Sequence, residues 1–339
     1  MTREVAESGV GLSGEADGIL ETPEHERRPR AGFAPASRPT GSATVTRGLN
    51  PGALLRALRP LQWTKNAVVF AALVFDRKLF EVGPLLHSLL AAVAFCCVSS
   101  AVYLVNDLKD VDADRLHPKK RFRPIAAGTV TPTQAAVTAA LLFALALAGG
   151  FVDGPKFVAV IAAYGLLMAA YTAGLKTVVI LDVFAIAAGF VLRAAGGAVA
   201  IDVPISPWLY VCTMLLALFI GFGKRRSELS SLAGAAAGHR ANLEAYSLPL
   251  LDQLIGIVAA STVMAYSLYT FDAATGARGG RAMMLTIPFV VYAILRYLYL
   301  VHRRDLGGSP EALLFADYPL LGAIAGWGVT SVAILYLTW

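Results

Sequence analysis

The sequence predicts an all-α, polytopic membrane protein, and three observations predict it. Of its 339 residues, 57% are hydrophobic and only 15% charged, with a mean hydropathy of +0.63, a balance unlike that of soluble domains. Apolar runs long enough to span a ~30 Å hydrocarbon core recur about nine times. The basic residues between those runs fall mostly in alternate loops, and so on one side. The expected architecture is therefore a bundle of about nine transmembrane helices with cytoplasmic cap loops or helices.

Residues 1–50 are polar, rich in Gly, Pro and Ser, and read as a disordered cytoplasmic tail. They lack the apolar core of a secretory signal, so no cleavage is expected. Residues 51–339 form the transmembrane domain. Its apolar runs are Leu61 to Leu79, Pro84 to Val105, Thr133 to Phe151, Pro155 to Ala173, Val178 to Ala200, Ile205 to Phe222, Leu248 to Phe271, Ala282 to Val301 and Pro319 to Thr338. The polar breaks at Lys78 to Gly83 and at Asp153 to Pro155 are short, which predicts antiparallel hairpins there.

With the N-terminus inside, the inner loops collect Lys109, Arg115, Lys119, Lys120, Arg121, Arg123, Lys176, Lys224, Arg225, Arg226, Arg240, Arg303 and Arg304. The outer loops hold Arg77, Lys78, Arg278 and Arg281, with Lys156 at a helix start. The bias puts the acidic stretch after the second run in the cytoplasm and the C-terminal Trp339 outside, in what is expected to be a multi-pass protein of the plasma membrane. It also accounts for the net charge of +6, which leaves no need for a nucleic-acid partner. Cys96, Cys97 and Cys212 lie within apolar runs and lack metal-ligand spacing, so they read as core packing. Homo-oligomer formation is left open.

The chemistry concentrates in Asn106 to Pro124, NDLKDVDADRLHPKKRFRP, directly after the second apolar run. If that helix continues, a turn of ~100° per residue puts Asn106, Asp107, Asp110 and Asp114 on one face and Asp112 on the other. Three like charges on one face repel unless a cation sits among them. An oxygen-rich, thiol-free set favours Mg²⁺, which completes its shell with substrate phosphates. The alternative is a solvated loop whose acids pair with the neighbouring Lys and Arg. His117 stands beside Pro118 and among basic residues that disfavour its charged form, and it is expected to position at most.

A second polar cluster, Tyr171, Thr172, Lys176 and Asp182, falls at the next cytoplasmic turn. An ionisable residue inside a membrane segment is a functional-site hypothesis by default, and Asp182 is near enough to the cytoplasmic end to join the first site. Arg193 lies about 16 Å deeper along the same helix, among Gly189, Gly196 and Gly197, and is expected either to pair within the bundle or to meet substrate. Arg59, Trp63, Lys65 and Asn66 begin the first run, either as interfacial anchors or as phosphate ligands. The stretch from Gly223 to Ser247, with Lys224, Arg225, Arg226, Glu228, His239, Arg240, Asn242 and Tyr246, reads as a loop of roughly 25 residues that caps the site.

N106-D107-x-x-D110-x-x-x-D114 followed by R-x-x-P-x-x-R-x-R-P resembles the first signature of the UbiA-type intramembrane prenyltransferase superfamily, and Tyr171 to Asp182 sits where its second signature falls. The second departs from the common pattern: Tyr171 and Lys176 are one residue further apart than in Tyr-x-x-x-Lys, and a single Asp182 replaces an acidic pair. RPLQWTKN, NDLKDVDADRLHPKKRFRPIAAG and LDVFAIAAGFVLRAAGG resemble one branch of it, the decaprenyl-phosphate phosphoribosyltransferases of actinobacterial cell-wall synthesis. The resemblance covers about Arg56 to Trp339. It implies a UbiA-like bundle whose cytoplasmic site transfers 5-phosphoribose from phosphoribosyl diphosphate (PRPP) to a polyprenyl phosphate, in the pathway to the cell-wall arabinan donor.

On that reading Asp107, Asp110, Asp114, Lys176 and Asp182 are the catalytic set, and Asn106, Asp107, Asp110 and Asp114 hold Mg²⁺. Lys119, Lys120, Arg121, Arg123 and Lys176 recognise the donor's phosphates, with Asn106 and Tyr171 beside them. Arg59, Lys65, Lys224, Arg225 and Arg226 meet the acceptor's phosphate. Two other readings compete: an aromatic prenyltransferase of quinone or haem biosynthesis, which shares the metal motif, and a transporter, whose coupling residues belong near the bilayer midplane rather than at helix ends.

Overall fold

The computed structural model describes residues 50–118, 120–232, 243, 245–271, 280–304 and 306–337. The N-terminal tail, Lys119, His239, Arg240 and Asn242 lie outside the described residues. The described chain is helical throughout, and eight of its helices are long and apolar enough to cross a membrane.

The short helix α1 (Pro51–Leu58) opens the domain, its N-terminus capped by Asn50, whose side chain accepts from the Ala53 N–H at 3.0 Å. A 3₁₀ segment, Pro60–Phe70, then runs into α2 (Ala71–Phe75). The transmembrane helices proper are α3 (Val82–Lys109), α5 (Pro132–Gly150), α6 (Pro155–Ala173), α7 (Leu181–Ala200), α8 (Pro207–Leu232) and α9 (Leu248–Phe271). They are completed by α10 (Ile287–Arg304), which follows a 3₁₀ turn at Gly280–Thr286, and α12 (Tyr318–Leu337). Two short helices lie between them, α4 (Val111–Leu116) after α3 and α11 (Pro310–Ala316) before α12.

Two expectations need correction. The first apolar run is not a regular α-helix. Its 3₁₀ and α parts together extend about 30 Å, enough to cross the core despite having few residues. The long loop expected from Gly223 begins later, because α8 continues to Leu232. Arg225 and Glu228, three residues apart and paired at 2.5 Å, support that extra length.

Helix α7 is the hub, packed against α3, α6, α8 and the 3₁₀ segment. On one side Val69, Phe95, Val98, Phe157, Ile161 and Tyr164 form a core among the 3₁₀ segment, α3 and α6. On the other, Val183, Phe219, Phe222, Leu251, Ile255 and Leu300 join α7 to α8, α9 and α10. Helix α5 shows the membrane pattern: Ala135, Ala139 and Ala146 are buried, whereas Val137, Leu141 and Leu145 are exposed. Small residues allow the close approach to α3, and large apolar ones face lipid.

Gly197 sets the tightest contact. A Cβ there would lie 1.9 Å from the Val69 carbonyl oxygen, so only glycine lets the 3₁₀ segment sit against α7. The same segment is tied to α3 by side chains. Trp63 Nε1 donates to Ser100 Oγ at 3.0 Å, and Asn66 Nδ2 reaches Cys96 Sγ at 3.1 Å. Three residues of 3₁₀ helix rise ~6 Å, as do four residues of α-helix, so Trp63 and Asn66 match Ser100 and Cys96 rung for rung.

Candidate active site

The acidic face forms much as helical periodicity requires. Helix α3 ends at Lys109, Asp110 takes φ −94° and ψ 8°, and α4 resumes at once. The Asp110 N–H donates to the Asn106 carbonyl at 3.0 Å and Asp114 N–H to the Asp110 carbonyl at 2.8 Å, so the helical path barely breaks. Lys109 Nζ donates to the Thr172 carbonyl at 2.7 Å and pins the end of α3 to the end of α6.

Three cations from three connections converge on this face. Arg59, at the left-handed turn between α1 and the 3₁₀ segment, reaches Asp107 Oδ1 at 2.5 Å and stacks 4.9 Å from the Tyr103 ring. Arg123 Nη1 bridges Asp107 Oδ1 at 3.0 Å and Asp114 Oδ2 at 2.6 Å. Lys176, in the 3₁₀ turn Leu175–Thr177 between α6 and α7, meets Asp110 at 2.8 and 3.1 Å. Asn106 Nδ2 also donates to Asp110 Oδ2 at 3.1 Å. Asp112 points away, 89% exposed, and pairs with Arg115.

The acids do pair with neighbouring cations, but Asp107 and Asp114 are buried rather than solvated. Three carboxylates facing Arg59, Arg123 and Lys176 make a formally neutral cluster. A polyphosphate entering it brings negative charge that further cations must offset. Lys120 is half-buried and Arg121 exposed in the turn that leads to Arg123, and a divalent metal is another source of positive charge.

The residues fit such a metal. Among the described residues no three His, Cys, Asp or Glu side chains converge on one point. Asp107 meets its arginines through Oδ1 and Asp114 through Oδ2, which keeps a second hard oxygen on each. That donor set suits Mg²⁺ drawing the rest of its shell from phosphate and water.

The structure divides the expected site residues, because Asp182 belongs to a second, deeper cluster. Its side chain is fully buried, with Oδ2 accepting from Arg225 Nε at 2.7 Å and Oδ1 from the Tyr246 hydroxyl at 2.8 Å. Burial pushes the Tyr246 phenol above its ordinary range, opposed by the Ile180 N–H and reinforced by the Asp182 carboxylate, so the hydroxyl stays a donor. Tyr171 lies within electrostatic reach of Arg225.

Arg225 and Arg226, expected at the acceptor's phosphate, are turned into the protein. Arg225 is 3% exposed, and Arg226 binds Asp252 at 2.5 Å, where His302 also reaches at 3.1 Å. Lys65 and Lys224 are half-buried. His117 Nδ1 accepts the Lys120 N–H at 3.2 Å, a positioning contact. Arg193 is paired within the bundle, donating to Asn66 Oδ1 and the Tyr164 hydroxyl at 2.7 Å each. Sequence reasoning missed Tyr103 and the pinning by Lys109; Tyr103, four residues before Asp107, shared its helical face and was the available signal.

A profile of the UbiA prenyltransferase family matches residues 67–317. The chain is 35% identical to a decaprenyl-phosphate phosphoribosyltransferase of Corynebacterium glutamicum, across 84% of this chain and 87% of that one. It is 36% identical to a Mycobacterium tuberculosis protein of the same name, across 82% and 92%. Among solved structures it resembles a UbiA homolog from Archaeoglobus fulgidus bound to DMAPP and Mg²⁺, with a TM-score of 0.62 at 20% identity over 84% of this chain and 99% of that one.

Proposed function

Since the chain belongs to the UbiA prenyltransferase family, we propose that it is the phosphoribosyl-transferring kind, moving 5-phosphoribose from PRPP to a polyprenyl phosphate with release of diphosphate. The observation that carries this reading is the convergence of Arg59, Arg123 and Lys176 on Asp107, Asp110 and Asp114 at membrane-helix ends. Acids and cations together suit a donor that carries phosphates at both ends. The relatives' names supply the sugar and the lipid.

A second feature supports the lipid. An apolar cavity of about 510 Å³, lined by residues such as Leu216, Phe219, Tyr266, Ala293 and Trp327, lies within the bundle and suits a prenyl tail. The positive-inside bias supports a site that faces the cytoplasm, and we place the protein in the plasma membrane.

In the reaction an acceptor phosphate oxygen attacks C1 of the ribose. The new C1–O bond forms as the C1–O bond to diphosphate breaks, and the bonding pair leaves with diphosphate. No proton moves, so no general base is required. Asp107, Asp110 and Asp114, with Asn106, would hold Mg²⁺, which when bound neutralises charge on the leaving diphosphate. Arg123, Lys176, Lys120 and Arg121, with Lys119, hold and orient the donor's phosphates. Arg59, Lys65 and Lys224 face the acceptor's phosphate. Arg225 and Arg226 instead position helices through Asp182 and Asp252.

The test offers purified protein labelled PRPP with polyprenyl phosphate and Mg²⁺ and, in parallel, a prenyl diphosphate with an aromatic acid. Label is expected in the lipid phosphate. Label in the aromatic acid alone overturns the reading.

A further inference from the structure

The turn that leads from Lys176 into α7 is strained. Ile180 has φ 69° and ψ −48°, and the Leu181 N–H donates to the Val179 carbonyl at 2.8 Å. This is the positive-φ γ-turn, rare and strained, on a β-branched residue that disfavours positive φ. Such a conformation persists only where its surroundings hold it.

One oxygen does so from both sides. The Tyr246 hydroxyl accepts the Ile180 N–H at 2.6 Å and donates to Asp182 Oδ1 at 2.8 Å. Arg225 fixes the other Asp182 oxygen at 2.7 Å. Tyr246, Asp182 and Arg225 are 4%, 0% and 3% exposed, so water does not replace a lost bond easily.

Lys176 lies four residues before Ile180, with no slack between them. The Val178 N–H donates to the Leu175 carbonyl at 3.1 Å and Asp182 N–H to the Val178 carbonyl at 3.0 Å. A rotation at Ile180 therefore reaches the turn that carries Lys176 to Asp110.

We propose that Tyr246 is a positioning residue, whose hydroxyl holds the strained turn at Ile180 and through it fixes Lys176 against Asp110 and the donor's phosphates. The choice of PRPP as the donor rests on the function proposed above; the link from Tyr246 to the turn does not.

The experiment compares the full-length wild type, Tyr246→Phe and Tyr246→Phe/Ile180→Gly. It measures KM and kcat for PRPP, and hydrogen exchange of the peptide covering residues 178–184. Tyr246→Phe is expected to speed exchange and raise KM about tenfold, with kcat within about twofold. Glycine adopts positive φ without strain, so the double variant should recover most of the lost KM. A KM in the double variant as high as in Tyr246→Phe overturns the proposal, as does an unchanged KM in Tyr246→Phe. If Tyr246→Phe does not fold, the double variant decides: folding with near-wild-type KM supports strain relief, and failure to fold shows that packing was lost instead. A wild type without PRPP-dependent transfer refutes the donor assignment alone, and exchange then decides the turn, with faster exchange in Tyr246→Phe supporting the tie and unchanged exchange overturning it.

Discussion

Arg123 serves two carboxylates at once, and that sharing decides how each residue of the site tolerates substitution. Asp114 meets Arg123, whereas Asp107 also has Arg59. Arg123→Ala should therefore strand a buried carboxylate and destabilise the protein by about 3 kcal/mol, the low end for a broken buried pair because Arg123 is partly exposed. Thermal unfolding in detergent measures it. Asp110→Ala removes a more exposed pair with Lys176, so the fold should survive while transfer is lost. Asp112→Ala, on the solvent side, should leave both near wild type. Equal activity across the two aspartate variants would remove the acidic face from the mechanism. At this scale the carboxylates were legible, because a helix repeats every ~100° and their order alone aligns them. Their partners were not, since Arg59 and Lys176 arrive from connections distant in sequence.

The 3₁₀ segment shows what an element can demand of its neighbours. Isolated 3₁₀ runs beyond three or four residues are uncommon, yet this one spans 11 residues. Its period of three matches the α3 period of four in rise, and Gly197 lets its backbone close on α7. Gly197→Ala should therefore force the segment away and cost several kcal/mol, on the order of an overpacked core site. Gly256→Ala is the contrast. Nothing lies within 4 Å of its added Cβ, and inside α9 alanine should stabilise by roughly 1 kcal/mol. Melting temperatures that move together in the two variants would refute the close-packing account. Hydropathy found the apolar run but read it as an ordinary helix, because hydropathy reports burial and not backbone pitch. The α8 extension past Phe222 was missed for a related reason: charge marked the membrane edge, and the helix did not stop there.

On the function proposed above, the polar site would take the phosphates and the apolar cavity the tail. Ala293 lines the cavity, so Ala293→Phe should displace a few methylenes of a long acceptor. At about 0.8 kcal/mol per methylene, KM for a long polyprenyl phosphate should rise roughly tenfold or more, and KM for a short one far less. Equal losses for both lengths would place the tail elsewhere. Metal removal gives a second test. Because no protein-only cage is present among the described residues, chelation should abolish transfer while leaving the melting temperature of the donor-free protein nearly unchanged. A large loss of stability would instead point to a structural metal.

Composition, periodicity and charge asymmetry were enough to establish a membrane-spanning helical bundle, the acidic face and the family signature it carries, since each is written in residue order within one segment. Which cation meets which acid, that Arg225 and Arg226 turn inward, that Arg193 pairs with Asn66 and Tyr164, and that one tyrosine holds a strained turn were decided only by packing. Apart from the two Arg123 pairs, those contacts join residues 26 to 127 positions apart. Their geometry depends on how helices meet, a property of the assembled bundle that no single segment encodes.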